Sequence, residues 1–585
     1  MLELREEKLN KLLRIVSIFA IIFCCILLPS QVRNFIIETG EKVIGRNLNN
    51  DIFNSFIELI LIYSLTVFFC FIFILLATVN SIQDLLERHR KYRENIFIFF
   101  SIIILIISII VRIVMYVKCR SLWIDEAMLA DSIVARNWHE LLRPPLSNNQ
   151  SVPVLYVISV KLICSVLGYS EFSLRLFSLL SFIGLLVCER IFLKRALGCN
   201  NFQIAFVVAM TALLPAYIWY SNELKPYMSD AFFIILTILL HFYYTQNKIK
   251  LPTLTISYIL ILGFSSPAIF FVGGIFVLEF FIAVFNKNKK QIYIFLISGA
   301  IILTVFGLYY HWWMSPVSEA MKAYWGNRNK QYNIIIQLLF IFDPRAGSSN
   351  SSFVMFFVPF ALLGIFSLNK SKNKMARSVV LSLLFVFLAS VMGYWPMTGR
   401  LWLFLPAIVL VFTPIGIDFI HDKIKERKIT NAIEFFLFSA IVIFLSLNCL
   451  GYVGDKMYFR RQEINPLINY VERNIKDDEK LYVYPFAKDT FNYKNGYATT
   501  KIGNVDDDNI IFGINPNEWN ENILGNELRL ILENEKTYLI FQHYQHYEVG
   551  IDKGLAVLRN YGILTEVMNA YGTPLYYFEK YVNSE

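Results

Sequence analysis

The sequence predicts a polytopic α-helical membrane protein of about thirteen spans that carries a C-terminal extracytoplasmic α/β domain, and three observations carry the prediction. The chain is 56% hydrophobic with a mean hydropathy of +0.51, more apolar surface than the core of a soluble protein could hide. Apolar windows long enough to cross a bilayer recur from the N-terminus to about residue 451. Beyond that point the balance of charge reverses: residues 455 to 585 hold 20 Asp plus Glu against 14 Lys plus Arg, in a chain whose net charge is +9.

Taken in order, the first residues (MLELREEKLNKLLR) place basic groups ahead of an apolar segment, as a secretory signal does. No small-residue cleavage site follows, so the segment reads as an uncleaved span. Windows then fall near 12–32, 56–80, 95–117, 172–193, 202–220, 231–247, 251–265, 267–285, 291–310, 352–368, 379–393, 401–420 and 432–451. The first two form an additional N-terminal unit, 1–94. The main membrane domain is 95–451, with an outer loop over 118–171, and the final domain is 452–585.

Lys and Arg cluster in alternate connections: the N-terminus, Arg88 to Arg93, Lys194-Arg195, Lys248 and Lys250, Lys287 to Lys290, Lys370 to Arg377 and Lys423 to Lys428. The positive-inside rule puts these in the cytoplasm. The loop after residue 117, the turn 221–227, residues 311–350, Tyr394 to Arg400 and the C-terminal domain then face outward. Residues 154–167 follow a Pro-rich stretch and have to begin and end on the outer side, so they are expected to lie in the interface.

In the C-terminal domain, strands are expected at 481–486, 537–542, 564–567 and 575–578, alternating with helices at 463–475, 519–534 and 551–560. No GxGxxG or P-loop spacing occurs at its turns, which argues against nucleotide binding. His543 and His546 lack a third nearby ligand and read as a solvated loop. The 8 cysteines sit in or beside the membrane windows, so no disulfide framework and no CxxC site is implied.

Two acids, Asp125 and Glu126, stand just beyond the 95–117 window, where a span delivers them to the membrane surface. Charges at a membrane exit can be merely solvated, and Glu126 can instead support the helix that begins nearby, through its macrodipole. The run Trp123-Ile-Asp-Glu-Ala127, the stretch Ser151-Val-Pro-Val-Leu-Tyr156, Gly168-Tyr-Ser-Glu-Phe-Ser-Leu-Arg-Leu176, Ser221-Asn-Glu-Leu-Lys-Pro-Tyr227 and Thr398-Gly-Arg-Leu-Trp-Leu-Phe-Leu-Pro406 occur in that order. In this the chain resembles the GT-C glycosyltransferases of family 39, which include protein O-mannosyltransferases and bacterial lipid A aminoarabinose transferase.

The resemblance covers roughly 95–420 and implies a bacterial plasma-membrane enzyme. It would move a sugar from a polyprenyl-phosphate carrier to a glycan, lipid or protein acceptor at the outer face, usually with inversion. A phosphate leaving group is already a stable anion, so the reaction needs a base for the acceptor hydroxyl and cations for the phosphate, but no general acid. By resemblance Asp125 is the base, and Glu126 orients the acceptor or helps to hold Asp125. An acid beside another acid is also expected to be harder to ionise.

The second outer turn departs from the family pattern, with Tyr227 where an Asp is usual; Glu223 becomes the second acid and Asp230 the reserve. Lys225 either meets the donor phosphate or anchors a span end. Arg400 breaks the positive-inside trend and suits bidentate phosphate contact, with a structural salt bridge as its alternative. Gln150 and Val152 stand where some members carry Lys or His, and Arg143 is the substitute cation. Arg175 reads as structural. The Trp- and Tyr-rich segment 311–330 suits an interfacial belt, or a platform for sugar rings. Asp125, Glu126 and Glu223 are also candidate oxygen ligands for Mg²⁺ or Mn²⁺. The rival reading is a flippase or exporter of lipid-linked saccharide, which would place its charges at broken helices near the midplane; a third is an interaction protein working through its outer domain.

Overall fold

The computed structural model describes residues 90–118, 120–329, 352–370, 373–396, 399–423, 462–494, 509–515, 519, 525–542, 544–570 and 572–581. The windows 12–32, 56–80 and 432–451, the side chains of His543 and His546, and the run Asp343-Pro-Arg345, which follows a short apolar stretch of the sequence as a candidate to close over a donor, lie outside the described residues.

Every other apolar window forms a helix. The membrane part comprises α1 (Arg90–Lys118), α2 (Ile124–Ala135), α3 (Trp138–Leu141), α4 (Val154–Leu167), α5 (Glu171–Arg195), α6 (Asn201–Leu213), α7 (Pro215–Tyr220), α8 (Tyr227–Thr245), α9 (Leu251–Phe264), α10 (Ala268–Phe285), α11 (Lys289–Tyr309), α12 (Ser315–Asn329), α13 (Ser352–Lys370), α14 (Lys374–Val391) and α15 (Phe404–Lys423). Among the described residues five helices are long and apolar enough to cross a membrane by length and composition, namely α5, α8, α10, α14 and the continuous α11–α12 rod, and six shorter apolar helices accompany them. The protein is therefore a polytopic helical membrane protein.

Local chemistry sets the helix ends. The Ser170 side chain caps α5 by accepting from Ser173 N, and Lys194 and Arg195 stand in its last turn, a placement that suits the helix dipole. At α6, Asn200 accepts from the Gln203 amide and the Gln203 side chain accepts from Asn200 N, a reciprocal capping box. The window 202–220, expected as one span, is two helices, because Pro215 lacks the N–H that would continue α6 and starts α7 at its first position instead. In the other direction, α11 does not stop near 310: a π turn over Tyr310–Met314 carries it into α12.

Close backbone approach holds the bundle. A Cβ placed on Gly416 of α15 would sit 1.8 Å from the Phe360 carbonyl oxygen of α13, and one on Gly274 of α10 would sit 2.3 Å from Ser382 Oγ of α14. Small residues at helix contacts are how membrane helices, which gain little from apolar burial against lipid, improve their packing. Polar clamps add to this: His241 of α8 lies 3.0 Å from Glu279 Oε1 of α10 and its other ring nitrogen 3.2 Å from Ser378 Oγ of α14, and Arg112 of α1 donates to the Ala212 carbonyl and to Ser221 Oγ.

Residues 462–581 build a five-stranded mixed sheet of order β2-β1-β3-β5-β4, from β1 (Lys480–Val483), β2 (Ile510–Phe512), β3 (Lys536–Ile540), β4 (Gly562–Asn569) and β5 (Pro574–Lys580). β1 pairs in parallel with β2 and β3, while β5 runs antiparallel between β3 and β4. The four expected strands are present and β2 is an addition. The central strands β1 and β3 are buried after their first residue, with apolar side chains over Leu481–Val483 and Tyr538–Ile540, while the edge strand β4 is largely exposed. Helices α16 (Asn465–Asn474), α17 (Lys488–Asn492), α18 (Asn526–Leu532) and α19 (Tyr544–Leu558) accompany the sheet.

Candidate functional site

The short helix α2 is the platform of the site, and it is pinned on every side. At its C-terminal end the buried Lys161 ammonium of α4 donates to the carbonyls of Ile133 (2.6 Å) and Arg136 (2.8 Å), so a cation caps the negative end of the helix. On its flank Ser147 donates its hydroxyl to Asp131 and its amide to Ser132 Oγ, both at 2.8 Å. Trp313 donates its indole N–H to the Val152 carbonyl at 2.7 Å and fixes the Pro-rich stretch that leads into α4.

At its N-terminal end, Glu126 is completely buried and both of its oxygens are occupied. Oε1 accepts from Arg175 Nε and from the Leu224 amide, each at 2.8 Å; Oε2 accepts from Arg120 Nη1 (2.9 Å), Arg175 Nη2 (2.8 Å) and, more weakly, the Trp123 amide (3.4 Å). Burial alone would push this carboxyl up, but Arg120 and Arg175 overcome that and hold it below the ordinary carboxylate range. For Arg120, burial opposes the charge and Glu126 supports it, with help from Glu223 and Glu463. For Glu126 the expectation of an acid that resists ionisation is thus corrected: on a helix, consecutive residues point in different directions, and Glu126 is turned into a nest of guanidinium groups.

Asp125 faces the other way. Its carboxylate is paired with Arg400 Nη1 at 3.1 Å, and the pair keeps 27% and 21% of its side-chain surface exposed. Arg400 stands on a short 3₁₀ turn, Gly399–Trp402, and its guanidinium carbon lies 5.9 Å from the centre of the Tyr227 ring. Lys225 comes to the same place from the turn between α7 and α8. Its ammonium donates to Gln150 Oε1 at 2.5 Å. Burial pulls Lys225 below its ordinary range, Asp125 pulls it back up, and Arg400 adds to the lowering. Asp125, Lys225, Tyr227 and Arg400, four of the residues singled out in the sequence, therefore share one mixed-charge patch, in which Asp125 and Arg400 are partly exposed and Lys225 and Tyr227 are buried.

Other expected residues lie elsewhere. Glu223 is buried, accepts from the Trp219 indole at 2.6 Å and stands 3.9 Å from Arg120 Nη2, on the same interior side as Glu126. Asp230 is buried in the first turn of α8 beside Ser265. Arg143 is exposed and turned to His139 Nε2 at 3.0 Å, outside the patch. Arg175 has the structural part expected of it. Glu126 and Glu223 give their carboxylates to donors of their own, and among the described residues no group of three or more His, Cys, Asp or Glu is arranged to hold a metal ion. The donor set proposed for Mg²⁺ or Mn²⁺ does not fit.

Sequence reasoning missed Arg120. Its signal was available: like Arg400, it is a cation just outside a span on the face where basic residues are scarce.

No family model and no curated protein matches the chain. Solved structures do. The chain is similar to ArnT from Cupriavidus metallidurans in the apo state, at 10% identity and a TM-score of 0.45, over 82% of this chain and 97% of that one. The same enzyme bound to undecaprenyl phosphate matches at 10% identity and a TM-score of 0.42, over 82% and 98%. The oligosaccharyltransferase of Archaeoglobus fulgidus, in complex with Zn and sulfate, matches at 10% identity and a TM-score of 0.46, over 74% and 67%.

Proposed function

We propose that the protein is an inverting glycosyltransferase that moves a sugar from a polyprenyl-phosphate donor to an acceptor hydroxyl at the outer face of the membrane. The observation that carries the reading is the convergence of one accessible carboxylate, Asp125, with two cations, Arg400 and Lys225, where the loops between apolar helices meet.

Each group then has a task. Arg400 and Lys225 take the phosphate of the donor, the guanidinium by bidentate contact and the ammonium as a point charge. The acceptor hydroxyl attacks the anomeric carbon from the side opposite the phosphate and gives its proton to Asp125. The new bond from the acceptor oxygen to C1 forms as the bond from C1 to the phosphate oxygen breaks, and polyprenyl phosphate leaves with the electron pair. One displacement inverts the anomeric centre. Arg400 is paired with Asp125 before donor arrives; a phosphate that draws the guanidinium toward itself frees the carboxylate to accept the proton, which couples donor binding to base strength. Glu126 and Glu223, buried and engaged, hold the platform. Tyr227 offers a ring face beneath Arg400. No step is routed through a metal.

About thirteen spans, an N-terminus in the cytoplasm and a C-terminal domain outside are part of the same proposal. The test uses the purified chain in nanodiscs with a panel of labelled polyprenyl-phosphate sugars and a crude envelope extract. Release of polyprenyl phosphate with label in the acceptor supports the enzyme; labelled lipid crossing a liposome bilayer without release of carrier supports the flippase.

A further inference from the structure

Residues of the C-terminal domain bind the three-residue lead-in to α2, Ser121 to Trp123, which ends two residues before Asp125. Glu463 Oε2 accepts from the Ser121 amide at 3.1 Å and from the Ser121 hydroxyl at 3.0 Å. The same hydroxyl oxygen accepts from the Asn465 amide at 3.1 Å, so Ser121 satisfies one of the first N–H groups of α16, a helix of the other domain. Gln542, one residue past the end of the β3 run into Phe541, donates Nε2 to the Leu122 carbonyl at 3.3 Å. Ser121, Leu122, Glu463 and Gln542 are all buried.

The lead-in is therefore held from two directions. Arg175 takes the carbonyls of Arg120 (2.9 Å) and Ser121 (3.3 Å) from the membrane side, while Glu463 and Gln542 take the Ser121 amide and the Leu122 carbonyl from the sheet side. With both alternating sets of backbone groups engaged, the segment can neither slide nor rotate without breaking hydrogen bonds in buried surroundings, where each broken bond is costly. Asp125 follows Leu122 by three residues, in the first turn of α2. Further contacts join the same two bodies: Lys494 pairs with Glu171 in the interior, and Asn148 donates to Asp489 at 3.1 Å.

We infer that Glu463 is a positioning residue for transfer: the contact of Glu463 with Ser121 makes the C-terminal domain part of the catalytic unit by fixing where Asp125 stands relative to Arg400 and Lys225. The inference rests on Asp125 being the base. It separates two kinds of residue that act on the reaction, because Arg400 and Lys225 meet the donor directly whereas Glu463 acts through its bonds to Ser121 and through its support of the Arg120 charge. Loss of Glu463 should therefore act on turnover and leave donor affinity nearly alone, since a displacement of about 1 Å at a reacting group is enough for a hundredfold loss of rate.

The experiment measures kcat, donor KM and thermal unfolding for the full chain in nanodiscs. Glu463→Ala is expected to lower kcat roughly tenfold to a hundredfold per folded molecule, with donor KM within about twofold. Glu463→Gln, which keeps a carbonyl oxygen to accept from Ser121, is expected to recover most of the loss. Ser121→Ala in the Glu463→Ala background should add little to the loss of kcat, because the bond from the Ser121 hydroxyl to Glu463 is already gone, while the lost acceptor of the Asn465 amide is read in thermal unfolding. Should Glu463→Ala fail to fold, Ser121→Ala and Gln542→Ala carry the same prediction. Full kcat in Glu463→Ala, or a loss that appears in KM or only in the folded fraction, overturns the inference. Asp125→Asn measured alongside keeps the two ideas apart: full activity there defeats the assignment of the base, while an inactive Asp125→Asn beside a fully active Glu463→Ala defeats only the positioning role.

Discussion

Asp125 and Glu126 are adjacent in sequence and opposite in circumstance. Glu126 is fully buried, with two guanidinium groups and two backbone amides on its oxygens, whereas Asp125 keeps about a quarter of its side chain exposed and shares Arg400 with the mixed-charge patch. The two charged clusters use the same residue types. What divides them is burial and saturation: a carboxylate whose lone pairs are all taken can hold a structure but cannot accept a substrate's proton.

The sharpest way to break this contrast is to neutralise each acid in turn. Asp125→Asn should lower transfer by roughly a hundredfold to ten-thousandfold, the range of general-base catalysis, with unfolding temperature unchanged. Glu126→Ala should do the reverse, costing about 3–5 kcal/mol of stability by leaving two buried guanidinium groups uncompensated, and appearing as loss of folded protein in thermal unfolding. If the two substitutions have the same profile, the division is wrong.

The cations should divide in the same way. Arg400→Ala is expected to lower kcat/KM for donor by about tenfold to a hundredfold, as loss of a hydrogen-bonded charge contact does, and Arg400→Lys should recover only part because the bidentate geometry is lost. Arg175→Ala should instead reduce yield and melting temperature. Arg143→Ala, outside the patch, should leave kcat/KM within about twofold.

The clusters also differ in their dependence on pH. The folded pKa of Glu126 is depressed, so its contribution to stability is complete above its ordinary value of 4.5 and is lost as pH falls below it. Glu126→Gln should flatten the acid limb of the stability curve. Lys225 is depressed from 10.5, so its ammonium is lost at a pH below that value, and donor affinity should fall on the alkaline side earlier than for an ordinary lysine. Titrating donor binding and unfolding separately resolves the two limbs.

Much of the fold was legible because the bilayer demands long apolar runs that few other structures use, and each described run is a helix. The break at Pro215 was legible in principle from the missing N–H. β2 was not, since three apolar residues after the polar Asp506-Asp-Asp-Asn509 have no period of their own and become a strand only by pairing with β1. At the site, Asp125, Lys225 and Arg400 were found because a charge just beyond a span is conspicuous. The fate of Glu126 was not legible: the groups that claim it come from positions 120, 175 and 224, and only packing brings them together. Glu463 was further out of reach, meeting Ser121 across 342 residues of chain.

The most direct test of the account is a single-turnover experiment with labelled donor already bound, comparing the intact chain with Asp125→Asn on addition of acceptor. The account predicts that both bind donor with affinities within a few-fold of each other, and that only the intact chain releases polyprenyl phosphate and labels the acceptor. Release by Asp125→Asn at the rate of the intact chain would contradict it.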